Sequence, residues 1–192
     1  RILPCTTAWH PAWIKAMAYP APQPCFTVTG NQLTLLDNGP VRLETLIALI
    51  DGASETLRII YYIYVDDRAG SQVRAALIAA AARGVQVSLI VDGLGSEAAN
   101  QNHFFDPMRA AGIVVCRFEP RWGRRYLLRN HQKLALADGD GAAPRAIIGG
   151  FNVEDSYFGT PADQAWRDLG LWVEGPAARR LPGYFDALAR WA

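Results

Sequence analysis

The chain has 192 residues, of which 51% are apolar, enough for a sizeable core in one domain and too many for a disordered segment. Nineteen basic residues against eighteen acidic ones leave a net charge of +1, so overall charge gives no instruction to bind a polyanion. Three cysteines are too few for a disulfide framework, and the longest apolar runs, LRIIYYIYV and AALIAAAA, fall well short of the ~20 residues that span a bilayer. The first residue is arginine and no charged-then-apolar leader follows, which predicts an excised piece of a longer protein.

Residues 1–29 read as an arm or linker, because YPAPQPC places three prolines where they remove donors and forbid a regular helix. Cys5, His10 and Cys25 fall in this stretch with a spacing that matches no zinc pattern. Packing or a free thiol is the expectation for them, and a Cys5 to Cys25 bridge stays open. A single lobe is predicted over residues 30–192. VRLETLIALIDGA has helical apolar spacing and a glycine stop, and TLRIIYYIYVDD reads as a buried strand. The helix GSQVRAALIAAAARG, the strand VQVSLIVDG, the helix SEAANQNHFFDPMRAAG and the strand IVVCRFE follow. HQKLALAD and RAIIGG are two short strands around the turn GDGAAP, and RDLGLWVEG is a strand before a last helix ending near Trp191. The strand and helix alternation predicts an α/β fold: a mixed, largely parallel sheet with helices on both faces and ligands gathered beyond the carboxyl ends of the strands.

DGLGSEA, with Gly93, Gly95 and Ala98, fits a dinucleotide fingerprint but follows the second strand rather than the first, so it reads as a tight turn. RNHQKLALADG is more specific. In a strand, His131 and Lys133 project to one side, which makes an imidazole and an ammonium neighbours. Two groups that can both be cationic repel, so the pair is stable mainly where an anion such as a phosphate lies between or above them.

The spacing of His131, Lys133 and Asp138 resembles the HxKxxxxD signature of the phospholipase D superfamily, and GGFN, with Gly149, Gly150 and Asn152, resembles its GGxN element. IIYYIYVDD, AARGVQVSLIVDGLGS, NHQKLALADG, IIGGFNVEDSY and WRDLGLWVEGP are similar, in order and spacing, to the N-terminal half of bacterial cardiolipin synthases, over about residues 30–190. The resemblance implies that His131 attacks phosphorus to form a phosphohistidine, with Lys133 and Asn152 donating to the nonbridging oxygens. It implies an acidic partner that fixes the imidazole, for which Asp168 is the candidate. Asp138 is counted with the catalytic set, although its place at a strand end beside Gly139 points to accepting backbone donors in the turn. Gly149 and Gly150 allow close approach of a phosphate or a neighbouring strand, and Arg129 joins the substrate-binding set. No metal and no cofactor are expected, since cationic side chains take that part. His10 and His103 read as structural.

Family enzymes bring two such motifs together, one histidine attacking and the other protonating the leaving oxygen, whereas this chain holds one. The expected partner is a second lobe of the same polypeptide or a homodimer mate, docking on any apolar surface beside His131. Arg117, Arg121, Arg124, Arg125 and Arg129 around Trp122 and Tyr126 form a solvated basic loop, or a cationic rim that meets lipid headgroups or, less favoured, a nucleic-acid backbone. The resemblance implies a phosphatidyltransferase at a membrane surface with phospholipid as substrate. A phospholipase D or nuclease of the same superfamily is the first alternative, and an inactive interaction half is the second.

Overall fold

In a computed structural model, residues 3–4, 23–119 and 129–192 are described. Cys5 and His10 of the arm, and Arg121, Trp122, Arg124, Arg125 and Tyr126 of the basic loop, lie outside them, and so does one end of the Cys5 to Cys25 pairing. The strands are β1 (Leu3–Pro4), β2 (Cys25–Val28), β3 (Asn31–Leu36), β4 (Thr56–Tyr61), β5 (Gln86–Asp92), β6 (Val114–Phe118), β7 (Leu134–Ala137), β8 (Arg145–Gly149) and β9 (Gly170–Glu174). They form one sheet in the order β1-β2-β3-β9-β8-β7-β4-β5-β6.

The sheet is mixed and carries helices on both faces, as the pattern predicts, but the balance of strand directions differs from the expectation. Only β4–β5 and β5–β6 are parallel, and the other six pairs are antiparallel. The reason is the connections. A parallel neighbour needs a crossover of a dozen or more residues, which the helical segments after β4 and β5 supply for the two parallel pairs. The turn between β7 and β8 is short, and it can only reverse the chain.

Cys25–Val28, placed with the arm in the sequence reading, is a strand of this sheet. It pairs with β3 through a two-residue turn in which Thr29 and Gly30 have φ of 48° and 76°. Both values are positive, the geometry that matches a hairpin's right-handed twist.

Helices α1 (Gly39–Asp51), α2 (Arg68–Ala82), α3 (Glu97–Gln101) and α4 (Asp106–Ala110) cover one face, burying Leu46, Leu49, Val73, Leu77, Phe104 and Phe105 against Leu57, Ile59, Leu89 and Ala135. Helix α5 (Leu181–Ala189) covers the other, where Phe185 meets Ile60, Ile90, Leu134 and Leu136. Successive strand residues point to opposite faces, so β7, buried on both, is apolar throughout, and so is β4 from Ile59 onward. The single helix predicted over residues 96–112 is two short ones. His103, with φ of 58°, turns the chain between them, and its Nδ1 is hydrogen-bonded to Asp106 Oδ2 at 2.9 Å.

Candidate active site

Strand direction gathers the predicted residues at one end of the sheet. β7 runs against β4 and β8 against β7, so the carboxyl ends of β4, β5 and β8 and the amino ends of β7 and β9 lie together. His131 and Lys133 precede β7, Gly149 closes β8 with Gly150 and Asn152 just beyond, and Asp168 precedes β9. Arg129 is half-buried two residues before His131. The motif pair is held by an aromatic ring. Tyr62, the first residue after β4, stacks on the exposed His131 imidazole with 3.8 Å between ring centroids, and the Lys133 ammonium lies 5.5 Å from the same centroid. Lys133 Nζ also donates to the carbonyl of His131 at 2.6 Å. Burial pushes the Lys133 ammonium down from the ordinary lysine range, and the nearby Asp168 carboxylate pulls it partly back.

Asn152 is buried, its Oδ1 accepting from the Ile63 amide at 3.1 Å and its Nδ2 donating to the Tyr157 hydroxyl at 3.0 Å. Only one N–H of that amide is left to meet a ligand, so Asn152 braces the site as well as facing it. Gly150 lies against the acid: a Cβ there would stand 2.4 Å from Asp168 Oδ1, so a larger residue would push that carboxylate aside. Asp168 therefore sits directly over the glycine turn and faces Lys133. Among the described residues no hydrogen bond links it to His131; its Oδ1 accepts from the Leu169 amide at 2.6 Å.

Asp138 is not with this group. It lies at the far end of β7, 5% exposed, where it accepts from the backbone amides of Ser54, Glu55 and Thr56, from the Ser54 hydroxyl and from Arg145. The structure places Asp138 apart from the other motif residues: a strand at about 3.3 Å per residue carries the two ends of the motif to opposite ends of the sheet. Burial alone would raise the Asp138 carboxyl, but the three amides and the hydroxyl together hold it below the ordinary aspartate value.

Sequence reasoning also missed Arg42. This side chain is 1% exposed, and it donates to the carbonyls of Asp37, Tyr157, Trp166 and Asp168, tying α1 to the loop that carries the acid. Burial lowers its guanidinium, opposed by Asp168 and Asp37. A signal was present, because Arg42 shares its helical stripe with Leu46 and Leu49, a charge on the face that must be buried. Changing Arg42 to Met keeps the volume but orphans four carbonyls, for an expected loss on the order of 3 kcal/mol in urea unfolding. Arg42→Lys should not recover it, since one ammonium cannot span the fork. Full recovery by lysine would show that charge alone matters.

The comparisons with known proteins bear on the fold and the family. The fold is shared with a solved phospholipase D family member, Nuc from Salmonella typhimurium, at a TM-score of 0.60 and 17% identity, covering 82% of this chain and 91% of that one. NucT from Helicobacter pylori gives a TM-score of 0.63 at 18% identity over 82% and 94% of the two chains. The fold is thus phospholipase D-like. The model of the family described as cardiolipin synthase, PLD-like domain, matches residues 46–188, and the chain belongs to that family. Cardiolipin synthase 1 of Bacillus anthracis is 38% identical over 156 residues, which are 79% of this chain and 30% of that protein. Cardiolipin synthase A of Pseudomonas entomophila is 32% identical over 186 residues, 94% of this chain and 37% of that protein. The chain thus spans about a third of the length of these relatives.

Proposed function

We propose that this chain is the nucleophile-bearing lobe of a phosphatidyltransferase of the cardiolipin synthase type, acting on phospholipid phosphodiesters through a phosphohistidine. The observation that carries the reading is the juxtaposition of an exposed His131, Lys133 and Asp168 at one sheet end in a chain of this family. A ring nitrogen of His131 attacks phosphorus; the P–N bond forms as the P–O bond to the leaving glycerol breaks, and that oxygen takes up a proton. Lys133, the free N–H of Asn152 and Arg129 meet the nonbridging oxygens, where charge grows in the transition state. An incoming lipid hydroxyl then attacks phosphorus, the P–N bond breaks, and the hydroxyl proton leaves to a base. Asp168 partly offsets the burial that lowers the Lys133 ammonium and is the acid that fixes the imidazole tautomer. Water as acceptor would make the same lobe a phospholipase.

The proton for the leaving oxygen comes, on this reading, from a second lobe, in the same polypeptide or as a second copy. Positioned general acid catalysis is typically worth about 10²- to 10⁴-fold, so the monomer should be nearly inactive on lipid. Leu94, beside the Gly95 that touches Tyr62, and Trp166 and Leu169, on either side of Asp168, are all more than half exposed, an apolar surface for such a lobe and for a lipid interface. Among the described residues no helix is long and apolar enough to cross a membrane, and the proposed contact with the membrane is peripheral.

The test separates the two steps. Bis(4-nitrophenyl) phosphate releases 4-nitrophenolate, which leaves without a proton, so the chain alone should form an acid-labile phosphoryl adduct. Mass spectrometry should place it on His131. Turnover of phosphatidylglycerol in mixed micelles should instead rise steeply with protein concentration or on adding a second lobe. An adduct on another residue would end the nucleophile assignment, and full lipid turnover by a demonstrable monomer would end the two-lobe requirement.

A further inference from the structure

Two groups that can carry positive charge, His131 and Lys133, lie against the ring of one residue, Tyr62. The face of a phenol ring carries the negative part of its quadrupole and attracts cations within about 6 Å of its centroid. The ring is itself locked. Gly95 packs against it so closely that a Cβ would stand 2.3 Å from the Tyr62 carbonyl oxygen and 3.0 Å from the ring edge, and Ser96 Oγ donates to that carbonyl at 3.2 Å. The turn holding Gly95 and Ser96 hangs on Asp92, 1% exposed, whose Oδ1 accepts from the amides of Leu94 and Gly95. The other oxygen, Oδ2, accepts from the amide of Asn130 at 3.1 Å, immediately before His131. One buried carboxylate thus fixes both the backbone that presents the imidazole and the turn that presses the ring onto it. This gives the glycine-rich DGLGSEA segment a use that no nucleotide explains.

We propose that Tyr62 is a positioning residue for the His131 and Lys133 pair: its ring face steadies both groups and holds the imidazole in register for attack. The inference rests on His131 being the nucleophile, but its first readout does not. The chain has three histidines, so ¹³Cε1-histidine labelling gives three proton resonances, of which His131 is assigned with His131→Asn. In the intact chain the His131 resonance should be displaced upfield by the ring current of Tyr62. Tyr62→Phe keeps the ring and should keep the displacement, with adduct formation from bis(4-nitrophenyl) phosphate within about threefold. Tyr62→Leu should abolish the displacement and slow adduct formation roughly 10²-fold, the usual cost of losing a reactive group's alignment by about an ångström. Half-saturation should change far less than the rate. A His131 resonance unmoved in Tyr62→Leu, or a Phe variant as slow as the Leu variant, would overturn the proposal. An unchanged adduct rate in His131→Asn would instead overturn the nucleophile reading and leave the stack standing. Circular dichroism superimposable on the parent's shows that each variant compared is folded, and the Phe variant carries the test where Leu is not.

Discussion

Replacing His131 with alanine is expected to reduce phosphodiester turnover by at least about 10⁴-fold, the scale seen when a covalent nucleophile is removed, while leaving the fold intact. The two halves of that expectation have separate causes. The imidazole is exposed and its ring contact is the stack on Tyr62, so stability should fall by less than about 1 kcal/mol. Chemistry has no substitute: Lys133 lies close by, but its ammonium is engaged by the His131 carbonyl and the Tyr62 ring. Turnover should be measured both on the aryl diester with this chain and on phosphatidylglycerol with the second lobe present. Retained turnover in either assay would assign the nucleophile elsewhere.

The largest loss of stability is expected at the other end of the motif. Asp138→Ala strands the amides of Ser54, Glu55 and Thr56 and the partly buried Arg145, and breaking such a cluster from one side typically costs about 3–5 kcal/mol. That is a large share of a domain's usual 5–15 kcal/mol, so urea unfolding should show it plainly. Per folded molecule, adduct formation at His131 should be unchanged, because the two residues sit at opposite ends of the sheet. The acid dependence follows from the depressed carboxyl. Its folded value lies below its unfolded one, so the stabilisation is complete above the ordinary aspartate range and is lost as pH falls through the folded value. The gap between the parent and Asp138→Asn should therefore close below about pH 4. A gap that stays constant into acid, or a lost adduct in stably folded protein, would return Asp138 to the chemistry.

The site was legible where spacing forces proximity. His131 and Lys133 are two apart next to a strand, and GGFN carries Gly150 and Asn152 to the same sheet end. Roles that depend on pairing across the chain were not legible. Asp138 shares a motif with His131 in sequence, and only the length of β7 shows that it cannot share a site. Tyr62 reads as one apolar residue in a run of strand formers until β4 ends at Tyr61 and frees it. The parallel βαβ core was readable from helical periodicity, whereas β2 and β3 were missed because NQLTLL is short, half-buried along most of its length and without a clean alternation, and the Thr29-Gly30 turn is a weak signal.

The position of β7 between β4 and β8 also bears on how the protein acquires its site. β7 is bound on one flank to a strand from the first third of the chain and on the other to its hairpin neighbour. Local pairing can form the β7–β8 hairpin early, but docking it against β4 closes a long loop, and such distant pairings are the slow ones. The βαβ unit from β4 to β6 needs no such wait. The imidazole, its aromatic support and the carboxylate under the turn should thus meet only in the last stage of folding, and amides of β7 should gain hydrogen-exchange protection after those of β5.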